Sequence, residues 1–157
     1  MLLTERNPVE QLHKGIELLN SVVDSNQDPW GTIVGFEDYA AAKNENNQQI
    51  AAAVKNAQWA TTKSGKKLGY LETTFFGAPG ALYNAGAELV IAFNPDFRGV
   101  RKFTVAGNGH KVNSIIDKLN TLEPGWGGPP TGTIIGSPRE GSILELDQVV
   151  QIVRNNL

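Results

Sequence analysis

The sequence predicts an α/β fold, a mostly β sheet flanked by helices, on three observations. Apolar residues switch along the chain between helical and alternating spacing, strand-like and helix-like stretches alternate from about residue 67 onward, and no internal repeat or long linker interrupts them. At 157 residues the chain fits one domain of common size, large enough to bury a self-supporting core.

The elements follow in order. Asn7-Pro8-Val9-Glu10 is a helix start: Asn7 accepts from exposed backbone donors, Pro8 suits the first helical position, and Glu10 is placed to close a capping box. Val9, Leu12, Ile16, Leu19 and Val23 then form one apolar stripe, and the helix is expected to end near Asp24. The stretch SNQDPWG is turn chemistry at Asp28-Pro29 and Gly31, and TIVGFEDYAAA after it reads equally as a short strand or a helix. A second helix is expected from about Glu45 to Thr61, with Ile50, Val54 and Ala57 on one face, and KSGKK breaks it. Lys67–Thr73 reads as a strand, Pro79–Ala85 as a short helix, and Glu88–Asn94 as a nearly continuous apolar strand of the buried kind. Arg101–Ala106 alternates like a strand with one wetter face. Val112, Ile115, Ile116 and Leu119 mark a helix, Thr133–Ile135 a short strand, and Leu146–Val153 a closing helix. This divides the chain into an N-terminal helical segment, 1–49, and an α/β domain, 50–157.

Composition excludes several function classes. There is no cysteine, so disulfides, thiolate metal sites and cysteine nucleophiles are ruled out together, in keeping with a reducing compartment. Of the two histidines, His13 and His110, neither has the spacing of a helical zinc site, and neither supports a defensible Ser-His-Asp arrangement. A net charge of −2 argues against tight binding to long nucleic acid, no apolar run approaches the length of a membrane span, and no Walker-type loop is present. The N-terminus lacks a leader pattern, so a cytoplasmic protein is expected.

The most unusual stretch is GWGGPPTGTIIGSPREGS, residues 125–142, with six glycines, three prolines and one arginine in eighteen positions. Glycine lets backbone N–H groups come close to an anion, so Gly127-Gly128 and Gly136-Ser137 are candidate phosphate contacts. Arg139 suits a bidentate contact to phosphate, Ser137 and Ser142 offer hydroxyls, and Trp126 offers a stacking face. Thr104 on the preceding strand and Asn108 and His110 in the turn GNGHK complete the candidate set. Asn94-Pro95-Asp96 ends a buried strand, a place where open α/β sheets hold ligands. The competing readings are structural: a Gly/Pro-rich surface loop, Trp126 as a packed anchor, Arg139 as a solvated charge, His110 as a turn residue, and Asn94-Pro95-Asp96 as a plain turn.

From about Ile50 to Val153 this organisation resembles the DHH-associated domain, the smaller C-terminal half of the DHH phosphoesterase superfamily. The superfamily includes RecJ-type exonucleases, nanoRNases and cyclic-dinucleotide phosphodiesterases. Lys66-Lys67-Leu68-Gly69-Tyr70 resembles its first strand, Ala87–Phe93 its second and Arg101–Val105 its third, and Gly125-Trp126-Gly127-Gly128 falls where its glycine loop belongs. The resemblance implies a loop that reaches over a nucleotide held between two halves. Pro129 stands where the family loop carries histidine, and Ala106 follows Thr104-Val105 where an arginine is expected. The family's Asp-His-His or Asp-His-Asp triplet is absent, and six scattered aspartates do not build the two-metal site its hydrolysis needs. Together these expectations describe a non-catalytic protein that senses, carries or sequesters a nucleotide or other small phosphate-bearing ligand, with no cofactor, no metal and no membrane or long nucleic acid partner. Two alternatives stand beside it: a detached substrate-binding subunit working with a separate catalytic DHH-type chain, and an assembly module. Self-association is expected as well, with the helix carrying Leu12, Ile16 and Leu19 as a candidate interface and packing on its own sheet as the competing use.

Overall fold

The structure, a computed structural model, describes residues 7–26, 28, 33 and 35–157. The expected turn at Asp28–Gly31 lies largely outside the described residues, as does the N-terminal segment 1–6. Contacts divide the chain into two compact units, 1–48 and 49–157.

In the first unit, α1 spans Pro8–Ser25, with the Asn7 side chain accepting from Val9 N–H at 3.0 Å. Asn26 closes it in the left-handed conformation, at φ 50°. The ambiguous segment resolves as helix: α2 runs Glu37–Lys55, beginning eight residues earlier than expected and ending six earlier. Its first residue accepts from Gly35 N–H at 3.0 Å, and that backbone hydrogen bond holds the Glu37 carboxyl below its ordinary range.

The second unit is an α/β sheet layered between helices. Its strands are β1 (Gln58–Thr61), β2 (Lys67–Glu72), β3 (Leu89–Phe97), β4 (Val100–Gly107) and β5 (Ile134–Gly136), side by side in chain order. Only β2 and β3 run parallel, joined by the crossover helix α3 (Ala78–Asn84); the other pairs are antiparallel. β1 corrects an expectation, because Gln58–Thr61 was read as helix. It pairs with Tyr70–Lys67 across a turn at Thr62–Lys66 in which Gly65 adopts φ +82°. Trp59 then lies over Gly69, where a Cβ would stand 3.0 Å from the indole, and the Lys67 ammonium sits 4.4 Å from the same ring. Tertiary pairing ended the alanine-rich helical pattern at Lys55 and made the following segment a strand.

Alternation along the strands builds two apolar layers. Leu68, Ile91, Phe93, Phe103, Val105 and Ile135 face α4 (Ile116–Leu122) and α5 (Leu146–Asn156), where Ile115, Leu119, Val149 and Val153 fill the layer. Phe93 and Phe103 stack at 4.4 Å, a pairing worth about 0.5–1.5 kcal/mol beyond its burial. On the opposite face Leu71, Val90 and Ala106 pack with Ile50, Val54 and Ala57 from the α2 end and with Leu82 of α3. Burial on this side pushes the Tyr83 phenol up from its ordinary value.

Candidate functional site

The glycine-rich segment is fastened to its own domain over much of its length. Asn120 Oδ1 accepts from Gly125 N–H at 2.8 Å and Trp126 N–H at 2.9 Å, while its amide donates to Trp126 O. Glu123, 7% exposed, is a second hub. Its carboxylate accepts from Trp126 Nε1 at 2.9 Å, Ser142 Oγ at 2.7 Å and Ile143 N–H at 2.5 Å. Farther along, Val112 and Asn113 N–H both donate to Gly132 O, and Gly107 N–H donates to Thr133 O. Ser137 exchanges two bonds with Phe103, one from each backbone N–H. The Lys102 ammonium donates to the carbonyls of Pro138 and Arg139.

This arrangement overturns several expected contacts. Trp126 is 4% exposed and packs beside Phe103 at 5.9 Å, so its ring belongs to the core and offers no stacking face. Ser142 is buried on Glu123, donating from its hydroxyl and accepting from Leu144 N–H. The N–H groups of Gly127 and Gly136 bond each other's carbonyls at 3.2 and 2.7 Å, and Ser137 N–H is bonded to Phe103 O, so none of the three is free to cradle an anion. Gly128 is glycine for a packing reason: a Cβ there would stand 2.1 Å from Ile134 O. Gly132 is similarly enforced, with φ +70° and the Asn113 side chain 2.7 Å from where a Cβ would be.

Two glycines have no such reason. Gly127 and Gly136 lack positive φ; a Cβ on Gly127 would meet nothing within 4 Å, and one on Gly136 would meet only Phe103 O at 3.8 Å. The sheet register sets them in a row, Leu71–Ala92–Thr104–Gly136–Gly127, crossing four strands and the bridge beyond β5. Phe103 and Val105 point into the α4/α5 layer, so Thr104 and its row partners face the opposite side. Leu71 is buried, whereas Ala92, Thr104, Gly136 and Gly127 are half-buried, so the row runs from the covered core to open surface. Chemically it is a strip of nearly bare backbone carrying one hydroxyl, with Asn94 and Lys102 paired one row on. Lys102 was read only as a strand residue, and Asn94 as a strand-end position that suits a ligand or a plain turn; their pairing depends on a register no local pattern reveals.

The remaining candidates lie at opposite ends of β4. Asn108 and His110 follow its C-terminal end, where Asn108 N–H donates to Glu88 O and His110 Nε2 lies 3.6 Å from Glu88 Oε1. Arg139 is exposed in the turn 138–141, beside the beginning of the strand, where its carbonyl holds Lys102. The strand alone separates these ends by about 24 Å at its ordinary rise. The candidate set is therefore three groups, with only Thr104, Gly127 and Gly136 in direct register. Arg101 is committed elsewhere, to Glu145 at 3.1 Å and Leu144 O at 2.8 Å, over the Phe93 ring. Among the described residues no three His, Asp or Glu side chains are grouped to hold a metal ion, and no helix is long and apolar enough to cross a membrane.

The sequence matches no family model, and it matches no curated protein. Among solved structures the fold is similar to that of a member of the s1p family of ribosomal proteins, DHH domain, at 14% identity and a TM-score of 0.47. The similarity covers 74% of this chain and 31% of that one, so the chain spans less than a third of the length of the structure it matches.

Proposed function

We propose that this protein binds a small nucleotide without transforming it, and that the row Ala92–Thr104–Gly136–Gly127 is where the ligand lies. The observation that carries the reading is the pair Gly127 and Gly136: glycine is present where neither backbone conformation nor internal packing asks for it. Glycine inside a strand pairing weakens it, and its common use there is to admit the close approach of a ligand or another backbone. Because both N–H groups are spent in the ladder, the contact differs from an anion cradle. A flat ring resting on exposed peptide planes fits the strip, with the Thr104 hydroxyl in the row and Asn94 one row on to meet polar substituents, while Lys102 is held by Pro138 O and Arg139 O. The resemblance to the DHH-associated domain, whose glycine loop covers a nucleotide, supports the same assignment. The family's catalytic triplet does not occur in these 157 residues, and the reading assigns the row binding alone.

The test is a thermal-shift and calorimetric panel of mononucleotides, cyclic nucleotides, cyclic dinucleotides and short oligonucleotides, with mass spectrometry of the ligand afterwards. A ligand at about 100 times its Kd stabilises by about 2.7 kcal/mol. Gly136→Val and Gly127→Val place a branched side chain in open space on a sheet edge, so the melting temperature is expected to hold while binding falls at least about tenfold, or 1.4 kcal/mol. No shift anywhere in the panel, or full binding by both valine variants, overturns the assignment.

A further inference from the structure

α1 presents its apolar stripe outward. Val9, Leu12, Ile16, Leu19 and Val23 are all exposed, Leu19 at 65% and Val23 at 77%, whereas Gln11, Lys14 and Leu18 on the other side, and Gly15 and Val22 along one flank, are half-buried. A helix of a solitary domain normally does the reverse, burying its most apolar stripe and leaving glutamine and lysine to water. An uncovered apolar face of this kind marks an interaction surface.

The spacing says what shape covers it. The five exposed residues advance by three, four, three and four positions, the a and d spacing of a heptad. Identity then narrows the partner. The a positions, Val9, Ile16 and Val23, are all β-branched, and both d positions, Leu12 and Leu19, are leucine, the combination that favours two parallel strands. The flanking e and g positions, His13, Gly15, Asn20 and Val22, hold no carboxylate, lysine or arginine. Nothing there sets identical helices against each other, and no charge pattern calls for a different partner.

We propose that α1 pairs in parallel with α1 of a second copy of this chain, as a short two-stranded coiled coil that makes the protein a homodimer. This stands on α1 alone and is independent of the nucleotide reading. Eighteen residues make about two and a half heptads, so the dimer dissociates on dilution.

The experiment is sedimentation equilibrium of the full chain between about 1 and 100 µM, bracketing micromolar dissociation. The expected mass rises toward twice the 16.9 kDa of one chain, and Leu12→Glu with Leu19→Glu returns it to a single chain at every concentration without changing the melting of the sheet unit. Orientation is read separately. In this cysteine-free chain, Val9→Cys joins two copies on mild oxidation only if the N-terminal ends of α1 meet. A single-chain mass throughout overturns the proposal, as does a doubled mass that survives the two glutamates, a mass above two chains, or a dimer that Val9→Cys fails to cross-link.

Discussion

α1 and α5 are two amphipathic helices of similar grammar and opposite fate. α1 starts on the Asn7 cap and α5 on a reciprocal capping box between Glu145 and Gln148; each carries a valine-rich stripe. In α5, Val149, Val150 and Val153 are at most 3% exposed and close the core beneath β3 and β4, whereas none of the α1 stripe is buried. Amphipathic spacing therefore specifies that a face will be covered, and says nothing about whether the cover lies in the same chain. The finer distinction lies in which positions are covered: α5 buries Val149, Val150 and Val153 together, whereas in α1 Leu18 and Val22 are half-buried and the a and d residues stay exposed.

The largest test of that contrast places one charge on each stripe. Val153→Asp buries an unpaired carboxylate in the core and is expected to cost about 4 kcal/mol or more, a large part of the 5–15 kcal/mol that holds a domain of this size. Leu19→Asp is expected to move the melting of the sheet unit by no more than about 0.5 kcal/mol, because that position is already in water. Equal losses in chemical denaturation would erase the distinction. Next in size, Glu123→Ala tests whether the segment leading into α5 shares the stability of the core. It strands the donors of Trp126, Ser142 and Ile143, for a loss of about 3 kcal/mol, and Glu123→Gln recovers part of it by keeping one acceptor. A neutral Glu123→Ala would show that the hub is dispensable. The smallest effect separates the two caps. Asn7→Ala and Glu145→Ala each remove about 1 kcal/mol of local stability. The first is expected to lower helical circular dichroism without moving the sheet's denaturation midpoint, and the second to move that midpoint.

Much of the sheet was legible because its strands carry strong local patterns. Leu89–Phe93 is a continuous apolar run, as suits a strand covered on both faces, and Phe103-Thr104-Val105 alternates because only its phenylalanine and valine enter the α4/α5 layer. β1 was hidden because Gln58–Thr61 has no pattern of its own and becomes a strand only through pairing with β2. The early start of α2 was hidden by weak signals around Gly35 and Phe36. In the glycine-rich segment, composition correctly marks an unusual backbone, yet it does not separate glycines needed for a conformation or close packing, such as Gly132 and Gly128, from those with open space above them, such as Gly127 and Gly136. Trp126 was the more recoverable error. A glutamate three residues earlier in a turn was available as a partner for its indole N–H, and a tryptophan satisfied in that way tends to be buried.

Glu123 gives the segment after β5 an unusual solvent chemistry. Gly141, Ser142, Ile143 and Leu144 lie outside any helix or strand, yet their amide hydrogens bond Pro138 O, Arg101 O, the Glu123 carboxylate and Ser142 Oγ, around a carboxylate almost closed to water. In deuterated buffer these four amides should exchange on the slow timescale of the central strands, although an irregular surface connection ordinarily exchanges at once. Dissolving the segment then requires opening the core, so its geometry is as durable as the sheet it borders.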